Sequence, residues 1–120
     1  MYKDDTIAVS VDLIKSVGRD AAVLFAYLEL QSNHMLNLLS LQRYEESKGR
    51  WHWDEGKADY RNKAKLIEAG WFPFKPETID SELGYPTNRQ GTCLRKLEER
   101  GLIEVRRKGK PGCRCIQFKQ

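Results

Sequence analysis

The sequence predicts an α+β fold. Three observations carry that prediction. An apolar run, Ala21 to Leu28, sits in a segment with helical composition. Two later stretches, 76–84 and 87–101, repeat apolar residues at helical spacing and end in glycine. The last third holds two alternating stretches, 102–107 and 113–118, around the turn-rich Lys108-Gly109-Lys110-Pro111-Gly112. The 120 residues amount to about one domain, 1–120, long enough to bury a core without disulfides or metal. With 40% hydrophobic and 10% aromatic residues the chain is too apolar for a disordered tail.

Taken in order, Ile7 to Ile14 alternates partly, as a short edge strand does, and Lys15 to Gly18 reads as a break. Arg19-Asp20 opens a helix ending near Gln31; Ala, Leu, Phe and Tyr fill nearly every side of it, so it is expected to be buried on most faces. Met35 to Leu41 either continues that helix or starts another. Glu45 to Gly49 reads as a turn, and Arg50-Trp51-His52-Trp53 with Asp54-Glu55-Gly56 as a short strand or packed loop. Residues 57–69 form a helix by the spacing of Tyr60, Ala64 and Ile67, with Gly70 ending it.

Trp71 to Phe74 is an apolar run in which Pro73 confines a strand to a sheet edge. Pro76 suits a first helical position and Glu77 the positive end of the helix dipole. Ile79 and Leu83 give that helix its buried stripe, Gly84 stops it, and Tyr85-Pro86 turns the chain. Thr87-x-x-Gln90 matches the capping-box spacing. Gln90, Leu94 and Leu97 with Cys93 form the inward stripe of the helix that follows; Asn88, Arg89, Thr92, Arg95, Lys96 and Glu99 face outward, and Gly101 is the stop.

Charge is unevenly placed. Residues 1–85 carry 11 Lys/Arg against 14 Asp/Glu, a net of −3, while residues 86–120 carry 10 against 3, a net of +7. Such a patch points to a polyanionic partner or to a solvated basic face. The longest apolar run is eight residues, Ala21 to Leu28; a spanning helix needs about twenty, so no membrane segment is expected. The N-terminus lacks the apolar core of a signal peptide, and three cysteines without a Cys-x-x-Cys pair suit a reduced, cytoplasmic setting.

Cys113 and Cys115 share a strand face, but Cys-x-Cys lacks structural-zinc spacing, so no metal or cofactor is expected and buried thiols are the default. His34 and His52 read as packing or surface residues, and Trp51, Trp53, Trp71 and Phe72 as core. No phosphate-binding glycine loop, Ser/His/Asp set or His-Glu-x-x-His occurs, so no enzyme is expected.

From residue 70 the order is strand, helix, tight turn, helix, strand, basic loop, strand. The stretch Phe72 to Phe118, and above all Leu94-Arg-Lys-Leu97-Glu-Glu-Arg-Gly101-Leu102-Ile103, resembles the winged helix-turn-helix family of DNA-binding domains. The resemblance implies a helix-turn-helix at about 76–100, a β-hairpin wing at about 102–118, and a helical insertion before them, residues 32–70. It departs from the family at Lys75, at Pro86, and at Gln90, where the family carries a branched apolar residue. A buried Gln must find hydrogen-bond partners, and the capping box with Thr87 offers one.

The resemblance implies double-stranded DNA as partner. Thr87, Asn88, Arg89, Thr92 and Arg95 are the base-contacting candidates, since Arg suits guanine and Asn suits adenine in the major groove, and Gly91 adds room. Lys96, Arg106, Arg107, Lys108, Lys110 and Arg114 are the phosphate-contacting candidates. The expected role is transcriptional regulation. A replication-initiation or replisome module of a phage or plasmid, and a protein-interaction adaptor without DNA binding, are the alternatives. The chain ends soon after the wing, so no attached effector domain is expected. A homodimer or a protein partner is expected to use the 32–70 insertion, through Leu36, Leu38, Leu39 and Leu41.

Overall fold

A computed structural model of the chain describes residues 7–47, 64–108 and 113–119. The chain enters through helix α1, Val11–Val17, where an edge strand was expected. Ser10 decides the difference: its hydroxyl oxygen accepts the Leu13 N–H at 3.3 Å, and Asp12 lies in the positive first turn. Leu13, Ile14 and Val17 then fall at helical spacing and reach the core from one side. The break is Gly18 alone, at φ 89°; Lys15 to Val17 are helical.

Helix α2 runs from Arg19–Ser47, 29 residues or about 43 Å. It passes the expected end near Gln31 without interruption, because no glycine or proline stops it there; Met35 to Leu41 continues it, and so do residues 45–47 of the expected turn. Its first half is buried on most sides, with Ala21, Ala22, Leu24, Tyr27 and Leu28 inside. Helix α3 is described at residues 64–68, with Ala64 buried. The expected elements at 50–56 and the start of the 57–69 helix lie outside the described residues, as does the loop 109–112.

Strand β1, Phe72–Pro73, follows, then helix α4, Pro76–Leu83, helix α5, Thr87–Glu99, and strands β2, Ile103–Lys108, and β3, Cys113–Phe118. The sheet is antiparallel in the order β1-β3-β2, so Pro73 sits on an edge strand, where its missing N–H costs no ladder bond. Val105 opposes Ile116, Ile103 opposes Phe118, and Phe72 opposes Ile116. The glycines read as helix stops, Gly70, Gly84 and Gly101, all hold positive φ. Gly84 is the left-handed cap of α4, donating its N–H to the Asp80 carbonyl at 2.8 Å.

The core lies between α2, α4, α5 and the inner face of the sheet. Leu24, Ile79, Leu97 and Ile116 are almost fully buried, each stabilising the fold by roughly 1.5–3 kcal/mol. Phe118 meets Phe25 edge-on at 5.5 Å and Phe72 at 6.0 Å, joining α2 to the sheet. Tyr27 donates its hydroxyl hydrogen to Glu82, tying α2 to α4.

The capping box does not form. The residue before α5 is Pro86, with no side-chain cap, and Thr87 is already helical. Gln90 is instead 0% exposed, and its amide nitrogen donates to the carbonyls of Tyr85 at 2.7 Å and Pro76 at 2.9 Å. One side chain thus clamps the first turn of α5 onto both the start of α4 and the turn between them. No helix among the described residues is long and apolar enough to cross a membrane.

Candidate nucleic-acid interface

Helix α5 presents two unlike faces. Gln90, Cys93, Leu94 and Leu97 are buried, and Asn88, Thr92, Arg95 and Glu99 form the exposed stripe opposite them. At about 100° per residue, Arg89 and Lys96 lie on one flank of that stripe and Thr87 on the other. All of these outward residues are exposed.

The polar groups of the stripe are held locally. The Asn88 side-chain oxygen accepts the Arg89 N–H at 2.9 Å, and the Thr92 hydroxyl donates to the Asn88 carbonyl at 3.2 Å. Asn88 therefore does part of the work of the missing cap.

Arg89, exposed on the flank of the stripe, is tied to a second helix. Its Nε and Nη2 both donate to Asp20 Oδ2 of α2, at 3.0 and 2.8 Å. The guanidinium lies over the Tyr85 ring, 4.3 Å from its centroid. The Tyr85 hydroxyl donates to the other Asp20 oxygen at 3.5 Å. Hydrogen bonding to Asp20 raises the Arg89 pKa further. Burial, followed by the Asp20 charge, raises that of Tyr85. Burial likewise raises the Cys93 thiol beneath them, which is a neutral thiol at pH 7.

The β2–β3 hairpin divides its cations between two faces. Arg107 stands opposite Arg114, one pair beyond Val105 and Ile116 on the same face. The Arg114 guanidinium lies 5.2 Å from the centroid of the Phe74 ring, which orients it. Arg106 belongs to the other face, opposite Cys115, and is paired with Glu104 at 2.9 Å. Glu104 also holds Lys119 at 2.9 Å. Lys108 ends β2, opposite Cys113, and Lys110 lies outside the described residues.

No protein-family model, curated protein or solved structure matches this chain. The site therefore rests on its own geometry. That geometry brings Asn88, Thr92 and Arg95 together on one stripe, with Thr87 and Lys96 beside them. It sets Arg107 and Arg114 side by side on the hairpin, and it engages Arg89 and Arg106 with carboxylates of the same chain.

Asp20, Tyr85 and Glu104 were not singled out from sequence. Glu104 could have been found from the strand alternation that places it on the Arg106 face. Asp20 is 69 residues from Arg89, and no local pattern announces the pairing. For metals, Cys113 and Cys115 bring their sulfurs to 3.7 Å, but no group of three or more His, Cys, Asp or Glu among the described residues is placed to hold an ion.

Proposed function

We propose that this chain binds double-stranded DNA as a winged helix-turn-helix protein, with α5 in the major groove and the β2–β3 hairpin on the backbone. The observation that carries the reading is the outer stripe of α5. Asn88, Thr92 and Arg95 stand exposed on a helix whose opposite face is clamped into the core by Gln90, Leu94 and Leu97. A major groove about 12 Å wide admits one helix, and a rigidly held helix keeps its side chains in register with base edges. The order α4, short turn, α5, two-stranded hairpin is compatible with that family.

The roles divide as follows. Arg95 is the candidate for a guanine edge and Asn88 for an adenine edge, with Thr92 beside them. Lys96, Arg107 and Arg114 grip phosphate, joined by Lys108 and Lys110 toward the hairpin end. Transcriptional regulation is the role we assign, and replication initiation on a phage or plasmid is the alternative use of the same surface.

Fluorescence-anisotropy binding to a random-sequence duplex across a salt series tests the reading. Four to six phosphate contacts give a log–log slope of about −4 to −5. No binding at 50 mM salt refutes it.

A second reading is favoured by one observation. Leu36, Leu38 and Leu41 of α2 are 41%, 43% and 53% exposed, while Leu39 is buried. Leu38 and Leu41, three residues apart, share a face of α2 and suit a protein contact, such as a second copy of the chain or an adaptor partner. A monomeric mass by light scattering at micromolar concentration removes the dimer.

A further inference from the structure

We propose that Asp20 is a specificity-determining residue of the α5 surface, acting by holding Arg89 in an internal ion pair that a DNA phosphate must break. The inference rests on the DNA-binding reading above and names what tunes it.

The pair is built rather than incidental. Asp20 lies in the first turn of α2, where the helix dipole favours a carboxylate. Arg89 lies in the first turn of α5, where the same dipole disfavours a cation, so the Asp20 charge compensates it. Both Nε–H and Nη2–H of Arg89 point to one oxygen of Asp20, at 3.0 and 2.8 Å, which fixes the plane of the guanidinium. The Tyr85 ring supports that plane from one side and is itself buried. The turn clamped by Gln90 therefore also carries the platform on which Arg89 rests.

The location gives the pair its consequence. Arg89 lies on the flank of the Asn88, Thr92 and Arg95 stripe that faces α2, so a DNA strand lying along α5 meets Arg89 and Asp20 together. An arginine with no partner there would grip any phosphate and strengthen binding to every sequence equally. Paired, it gives a passing phosphate no net charge to neutralise. The base-reading groups of the stripe then carry a larger share of the binding, and discrimination rises. Asp20 touches no DNA in this scheme; it is a positioning residue acting through Arg89.

The test measures affinity for a random-sequence duplex between 50 and 200 mM salt for the wild type and Asp20→Asn. Asp80→Asn, on the exposed surface of α4, controls for the lost negative charge. One added phosphate contact steepens the log–log slope by about 0.9, so Asp20→Asn should lose about 3.5-fold more affinity than the wild type across that range. Asp80→Asn should keep the wild-type slope.

The Arg89 Nε–H signal in nitrogen-15 NMR gives a second readout, independent of affinity. Random duplex should leave it in place in the wild type and move it in Asp20→Asn. A wild-type slope for Asp20→Asn, or a wild-type Nε–H signal that moves on adding random duplex, overturns the inference while DNA binding stands. No binding by the wild type at 50 mM salt removes both.

Discussion

Gln90→Ala tests how the DNA-facing helix is held. The substitution takes away two hydrogen bonds from a side chain with no exposure. The Tyr85 carbonyl is buried and loses its partner, costing about 1–3 kcal/mol. The Pro76 carbonyl is part-buried and regains water, so its loss is about 1 kcal/mol. Removing the Cγ methylene adds about 1 kcal/mol of lost burial. Against these stands one relief: Gln90 Oε1 is buried with no hydrogen-bond partner, and deleting it returns about 1–2 kcal/mol.

The balance is a loss of about 2–3 kcal/mol, or roughly 10 °C in Tm for a chain of this length. Gln90→Leu leaves the same two carbonyls without their donor but keeps most of the volume and also removes the orphaned oxygen, so it should cost about 1–2 kcal/mol. Urea denaturation followed by circular dichroism measures both. A Gln90→Ala variant within 0.5 kcal/mol of the wild type, or a Gln90→Leu variant less stable than Gln90→Ala, refutes the clamp.

Three further outcomes are expected. Arg95→Ala should weaken binding to a selected site by about 1–3 kcal/mol and to random duplex far less, whereas Lys96→Ala should weaken both alike and flatten the salt slope by about 0.9; identical behaviour of the two variants on both DNAs removes the division of roles. Tyr27 and Tyr85 have raised pKa values, chiefly through burial, so the folded state holds their protons when the unfolded state has released them. Stability from these two groups is therefore full below about pH 10 and falls as pH rises above it, and Tyr27→Phe should flatten the alkaline fall of Tm. Leu97→Ala should cost about 2–5 kcal/mol in urea denaturation, because Leu97 is 0% exposed at the base of the α5 stripe; a loss below 1 kcal/mol contradicts its place in the core.

How much of this was legible in the sequence depends on the range of the forces involved. Helices α4 and α5 and strands β2 and β3 follow from local signals: a period of 3.6 or 2, a proline at the start, a glycine at positive φ at the end. Helix α1 was misread because IAVSVDLI carries apolar residues that fit both periods, and one Ser10 hydrogen bond tips it to helix. The length of α2 was hidden because nothing between Gln31 and Ser47 marks a stop or forbids one.

At the candidate site, the exposed stripe of α5 was readable from periodicity, and its partners were not. Gln90 has the spacing of a local cap, yet its acceptors lie five and 14 residues earlier, brought there by the α4–α5 turn. Arg89 looked like any outward arginine until packing set α2 beside it and delivered Asp20.

The most direct test of the central claim is a map of backbone amide chemical-shift changes as a DNA duplex is added to the nitrogen-15-labelled chain. The account predicts changes concentrated in residues 87–96 and 106–114, growing as salt is lowered. Changes concentrated at Leu36 to Leu41, or none at low salt, contradict it.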